Sequence, residues 1–148
     1  MLFIIKVFFI FIFIVNSAYA IEKKWFKKGE YSNWEVYVKS EKDICYAISK
    51  PQKMQGAYNL RGRVNVIVAI NNNIKNKYYL GFDFGYSFAD KDKVKLTIDD
   101  NIFFEIDTFA QTAWINSSEN PNLDIKIIEA MKKGSLLIAE GTSKRGTE

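Results

Sequence analysis

From Val94 to Ile106 apolar and polar residues alternate. Val94, Leu96 and Ile98 fall on one side of an extended chain, and Lys95, Thr97 and Asp99 on the other. After Asp99-Asp100-Asn101 the alternation resumes with Ile102, Phe104 and Ile106. Two period-two runs joined by a short Asp/Asn cluster predict a β-hairpin with one buried face. An isolated hairpin is marginal in water, so the rest of the chain has to cover that face.

The same period recurs along the chain. Trp34 to Lys39 alternates Trp34, Val36 and Val38 with Glu35, Tyr37 and Lys39, which predicts a strand. Ser40 to Asp43 reads as a turn, and Ile44 to Ser49 as a second strand paired with the first and ended before Pro51. Residues 52–61 read as a loop. Arg63 to Ile70 sets Val64, Val66, Val68 and Ile70 on one face, and Asn65 is the only polar residue on the other. That pattern predicts a central strand buried on both sides for most of its length. Asn71 to Asn73 is a turn. Tyr78 to Phe88 is aromatic and interrupted by Gly81 and Gly85, which suggests a bulge or the close approach of another backbone. An aromatic row can also be a ligand platform, but core packing is its commoner use. Gln111 to Asn116 predicts a further strand and Leu136 to Glu140 a last one, before a polar tail from Gly141 to Glu148.

Between these last two strands the period changes. Leu123, Ile125, Ile127, Ile128 and Met131 form a stripe, with Glu129, Lys132 and Lys133 opposite part of it. Pro121 and Asn122 before it and Gly134 after it are start and stop signals, so Asp124 to Lys133 predicts one short helix. Many short strands at close spacing plus a single helix predict an all-β domain, a β-sandwich rather than an open α/β sheet.

Composition narrows the function classes. A length of 148 residues fits one domain, and 48% apolar with 16% aromatic content supports a core. A net charge of +4 is too slight an excess to mark a nucleic-acid binder. The absence of histidine removes the commonest zinc ligand and every mechanism built on an imidazole base. One cysteine excludes an intrachain disulfide.

The first twenty residues, MLFIIKVFFIFIFIVNSAYA, read as a secretory leader. Lys6 is their only charge, Val7 to Val15 is an unbroken apolar run, and Ala18-Tyr19-Ala20 fits the small-x-small cleavage pattern. Cleavage after Ala20 leaves residues 21–148 as the exported domain. The alternative is an uncleaved anchor, but Leu2 to Val15 is shorter than the ~20 apolar residues of a spanning helix. No cysteine stands near the cleavage point to take a lipid.

Candidate chemistry is sparse. Lys23, Lys24, Lys27 and Lys28 flank Trp25 and Phe26. They are either a patch for an anionic partner or a solvated lead-in whose aromatics cap one end of the core, and charge runs are usually solvated surface. Asp83, Asp90, Asp92, Asp99, Asp100 and Asp107 raise paired carboxylates or a calcium site, but no EF-hand spacing is present and the turn explains Asp99-Asp100. Ser143 beside Lys144 and Arg145 lacks the elbow motif and the histidine of a nucleophilic site, and reads as an exposed basic turn. Asn116-Ser117-Ser118 matches a glycosylation pattern too short to weigh.

Several short segments, in order, resemble the invasion-associated locus B family, exported proteins of alphaproteobacteria. They are Trp34-Glu35-Val36, Cys45-Tyr46-Ala47-Ile48, Ile98-Asp99, Ala113-Trp114, Ala130-Met131-Lys132-Lys133-Gly134, and Gly141 through Thr147. The resemblance covers Trp34 to Thr147. It implies an immunoglobulin-like β-sandwich, export to the periplasm or cell surface, and no known enzyme activity; the family supplies no catalytic residues to carry over. Named members are associated with host-cell invasion, a role not transferred here because many members come from free-living bacteria. Two departures follow. Many members have a second cysteine near the first strand, where this chain has Tyr37 and Val38, so the resemblance implies a lost disulfide; Cys45 is then either a buried thiol or an unpaired one, and burial is favoured because free cysteine behaves as a small hydrophobe. In the family the stretch like Gly141 to Thr147 precedes a final strand, so the resemblance implies a truncated domain with an open edge prone to strand exchange.

The expectation is therefore a non-catalytic binding or structural module, periplasmic or on the cell surface. Catalytic, cofactor-binding and metal-ligating residues are none, and no cofactor is expected. The partner is a protein or envelope component, not nucleic acid, and the membrane is touched only through the N-terminal signal segment. The rivals are a membrane-tethered protein with an uncleaved anchor and a hydrolase using loop carboxylates. Intact-mass measurement of the exported protein should give a chain beginning at Ile21; a mass that includes Met1 to Ala20 would establish the tethered form.

Overall fold

The computed structural model describes residues 24–39, 44–57, 60–73, 77–115, 120 and 122–146. The leader with its cleavage point after Ala20, Lys23, the turn at 40–43, the stretch Asn116 to Ser118, Pro121 and the last two residues lie outside the described residues.

The fold is all-β with one short helix, as the periodicity predicts. Nine strands form one antiparallel sheet: β1 (Trp25–Tyr31), β2 (Trp34–Lys39), β3 (Ile44–Ser49), β4 (Asn65–Asn71), β5 (Lys77–Asp83), β6 (Lys93–Ile98), β7 (Ile102–Phe109), β8 (Thr112–Trp114) and β9 (Leu137–Glu140). Helix α1 (Leu123–Lys133) lies between β8 and β9 in the chain. The order across the sheet is β1-β2-β3-β4-β5-β8-β7-β6-β9. The first five strands form a meander, the hairpin β6-β7 with β8 joins it through β8 on β5, and β9 returns after the helix to pair with β6.

The register sorts side chains onto two faces. Val36, Ala47, Val68 and Leu80 oppose one another along one row, and Phe82, Ala113, Thr108, Ile106, Val94 and Leu96 continue the same face. Leu80, Val94, Leu96, Ala113 and Ile127 are 0% exposed and form the centre of the core. Each of the leucine, valine and isoleucine side chains among them contributes roughly 1.5–3 kcal/mol by leaving water.

Helix α1 lies across this apolar face. At its first turn the buried Asp124 accepts the Leu80 N–H through Oδ1 at 2.8 Å. β8 pairs only with Gly81 to Asp83, so it stops short of Leu80, and the carboxylate takes the next donor along. At the other end Gly134 lies so close to Ile98 that a Cβ there would sit 2.5 Å from its methyl carbon. From β5 to β6 is three interstrand steps, about 14 Å. Eleven helical residues span about 16 Å, so the helix fits that half of the sheet and no more.

The central hairpin turns as its Asp/Asn cluster predicts. Asp99 (φ 49°) and Asp100 (φ 61°) are both left-handed, and Asn101 N–H donates to Ile98 O at 3.2 Å. That is the turn whose twist matches paired strands. Gly85 (φ 68°) meets the backbone of Gly62 and Arg63, where a Cβ would stand 2.7–2.8 Å from their atoms, which is the close backbone approach read from the sequence.

Four expectations need correction. β4 is central in order but half-buried along its whole length, because the helix does not reach it. The lysine-rich lead-in is strand β1 at the sheet edge, where lysines suit the role of discouraging further pairing. The aromatic run ends as a strand at Asp83, and Phe84, Tyr86 and Phe88 pack edge-to-face beyond it. Cys45 is a free thiol but only half-buried, on the apolar face between Val38 and Ile70.

Asp124→Ala should cost about 1–3 kcal/mol, the range for leaving a buried donor, here the Leu80 N–H, without its partner. Urea unfolding measures it, and a change within ~0.5 kcal/mol would show that the helix is not anchored this way.

Candidate functional site

The sheet bends so that its two halves share one apolar interior, and at one end they do not meet. A groove of about 1170 Å³ remains there. One wall is Trp34, Ser49 and Val66 from β2, β3 and β4, with the loop from Lys50 to Ala57. The opposite wall is unbroken chain from Gly134 to Thr142, which includes all of β9. Phe82, Phe84 and Met131 add apolar lining.

β9 has a neighbour on one side only: among the described residues it pairs with β6 alone. Which of its backbone groups face the groove follows from the ladder. Asp99 N–H donates to Leu136 O at 3.1 Å, so Leu136 bonds toward β6. Bonded and non-bonded pairs alternate in an antiparallel ladder, so Ile138 and Glu140 also bond toward β6. Leu137 and Ala139 then direct their N–H and C=O groups toward the free edge.

Aspartates hold both ends of this edge. Asp99 accepts N–H bonds from Ser135 and Leu136 at 2.8–3.0 Å, which sets the chain where it leaves the helix. Asp92 Oδ2 accepts the Thr142 N–H at 2.7 Å, just beyond β9. Tyr86 adds a third hold by donating its hydroxyl to Gly141 O. Burial raises the Tyr86 hydroxyl above its ordinary pKa, with the nearby Arg61 working the other way, so it remains a donor through neutral pH. Arg61 itself donates to Phe84 O at 2.9 Å and lies 5.1 Å from the Tyr86 ring centroid. Asn65 Oδ1 is buried without a hydrogen bond, on the sheet face opposite Val66 and Phe82.

The residues singled out from sequence are dispersed. Asp83 accepts the Gly85 N–H at 3.0 Å, Asp107 lies 3.7 Å from Lys93, and Asp90 and Asp100 are exposed. Asp92 and Asp99 serve the β9 edge. Among the described residues no three His, Cys, Asp or Glu side chains are close enough to share a metal ion. Ser143, read as part of an exposed turn, is buried and bridges to Phe88, while Lys144 and Arg145 are exposed beside it. Lys27 is engaged by Glu30 and by Glu35, the latter at 2.9 Å. Sequence reasoning missed the groove because its walls are distant in the chain. The available signal was an edge strand of only four residues between a helix and a polar tail.

No family model, curated protein or solved structure matches the chain. No helix among the described residues is long and apolar enough to cross a membrane.

Proline substitutions read the edge directly. Ala139→Pro removes an N–H that faces the groove and should cost less than ~1 kcal/mol, whereas Ile138→Pro breaks a bond to β6 and should cost ~3 kcal/mol or more. Urea unfolding of the two variants gives the comparison, and the reverse order would invert the assigned edge.

Proposed function

We propose that this chain is an exported, non-catalytic binding module of the invasion-associated locus B type, and that it takes an extended polypeptide segment as an added strand along β9. The leader is removed after Ala20, the domain acts in the periplasm or at the cell surface, and its strands follow an immunoglobulin-like sandwich plan. The partner is a protein or envelope component that presents an unpaired strand. The single observation that carries the reading is the groove running beside a strand edge whose Leu137 and Ala139 backbone groups are unpaired by β6. Strand addition needs these two parts: main-chain groups for affinity and side-chain pockets for alternate residues. Trp34, Val66 and Phe84 supply the apolar pockets. A segment of about four residues, some 13 Å long, would run the length of β9. Binding is favoured over hydrolysis because Asp83, Asp92 and Asp99 are each occupied by backbone N–H groups.

Panning a displayed library of random linear peptides on the full chain tests this. Selected peptides should alternate apolar and polar residues, and Ala139→Pro should weaken their binding at least tenfold while the protein stays folded. Selected peptides without that period, or with affinity unchanged by Ala139→Pro, would remove the reading.

A further inference from the structure

One end of the sheet carries a second feature. Trp34, Ser49, Val66, Phe82 and Ala113 are successive partners across β2, β3, β4, β5 and β8, close to one end of each strand. The β7–β8 turn lies at the same end, since Phe109 pairs with Thr112. The connections there are Ser32-Asn33, residues 50–64, residues 84–92 and Ala110-Gln111. Residues 141–146, after β9, join them: Ser143 bridges to Phe88, and Lys144 N–H donates to Ser87 O at 2.8 Å. Apolar side chains stand out from this end. Leu60 is 94% exposed and Phe109 79%, and Tyr31 and Met54 are exposed as well. Leu60 and Met54 belong to the β3–β4 loop, Tyr31 flanks the β1–β2 turn and Phe109 the β7–β8 turn.

Single exposed apolar residues are ordinary, but these four share their end of the sheet with most of the positive charge. The connections named above hold seven lysines and arginines against two aspartates, an excess of five, while the whole chain carries +4. Residues 50–64 alone contain four of these cations and no acid. Lys50, Lys53 and Arg63 are exposed, and among the described residues none of the three has a carboxylate at ion-pair distance. Of the two aspartates, Asp92 is already engaged by the Thr142 N–H. At the far side of the same end Lys91, Lys144 and Phe109 border one shallow depression.

We propose that this end of the sheet docks on a bilayer surface rich in anionic phospholipid, with Leu60, Met54 and Phe109 entering the interfacial layer and the surrounding lysines and arginines lying over the lipid phosphates. Basic clusters are drawn to the negative potential of such a surface, and apolar side chains that enter it add buried area to the attraction. A tyrosine placed as Tyr31 is suits the level of the headgroups. Projection selects a membrane over a folded partner. A side chain that stands free of its loop needs a matching pit in a rigid surface, whereas a fluid interface closes around it. The residue types select a membrane over nucleic acid. A single strand needs aromatic faces for its bases along a positive groove, and the β3–β4 loop, which carries the most charge, presents the aliphatic Leu60 and Met54. This contact is separate from strand addition, which uses the free edge of β9.

The test sets a tryptophan at the contact and reads its quenching by vesicles of equal parts phosphatidylglycerol and phosphatidylcholine brominated in its acyl chains. In the full chain, Leu60→Trp should be quenched beyond the level of the unaltered protein, and Met54→Trp should behave alike as a second site. Phe103→Trp should show no added quenching; that residue is 70% exposed but lies beside the Asp99 turn, at the other end of the sheet. The leader is common to all variants, so the difference between positions 60 and 103 belongs to the domain. Lys53→Glu together with Arg63→Glu should raise the lipid concentration for half-quenching at least about tenfold, as expected when two basic residues leave an anionic surface. Vesicles of brominated phosphatidylcholine alone should be weaker by a similar factor, and Ala139→Pro should change nothing. These residues other than Ala139 are exposed, so the unfolding midpoint should be retained. Absence of added quenching at both positions 54 and 60, equal quenching at position 103, indifference to the charge reversals, or preference for polyuridylate over the vesicles at physiological salt would overturn the proposal.

Discussion

One apolar sheet face, longer than anything available to cover it, governs this molecule. Eight interstrand steps make the sheet about 38 Å broad. The helix spans less than half of that. Under the helix, Leu80, Val94 and Leu96 are withdrawn from water altogether. Beyond its reach, Val36, Ala47 and Val68 on the same face are only half-buried. The sheet must therefore bend over itself, and the groove is the place where the bend leaves its halves apart.

The polar side chains make sense against that constraint. Asp124 ties the helix to β5 where the neighbouring strand runs out. Asp99 and Asp92 tie down the chain on either side of β9. A residue type that suggested metal or acid–base chemistry thus secures loose backbone donors around a strand that has one neighbour only. Charge-assisted bonds to backbone N–H groups are stronger than neutral ones, which suits positions where a short edge strand has few bonds of its own.

The local period made much of this legible. β2 and β3 are bounded as read, and the helix differs from its reading by one residue at its start. The hairpin turn followed from three residues, Asp99 to Asn101. The misreadings are of a different kind. β1 looked like solvated lead-in because Trp25 and Phe26 are adjacent and set among Lys24, Lys27 and Lys28, which gives no period-two pattern. β4 has the composition of a fully buried strand, yet burial depends on what lies above it, and that is set by where an eleven-residue helix happens to rest. The groove is a product of register, and so is the seat of Trp114 over Gly81: residues 33 positions apart meet there, and no short pattern announces such a pair.

The uneven cover is the central claim, and amide hydrogen exchange under native conditions tests it most directly. Amides of β5, β6 and β7 should exchange only through global unfolding, and those of β2 and β3 should exchange at least about tenfold faster through partial opening. Equal protection across all of these strands would contradict the account, because it would mean that the far half of the sheet is held as firmly as the half beneath the helix.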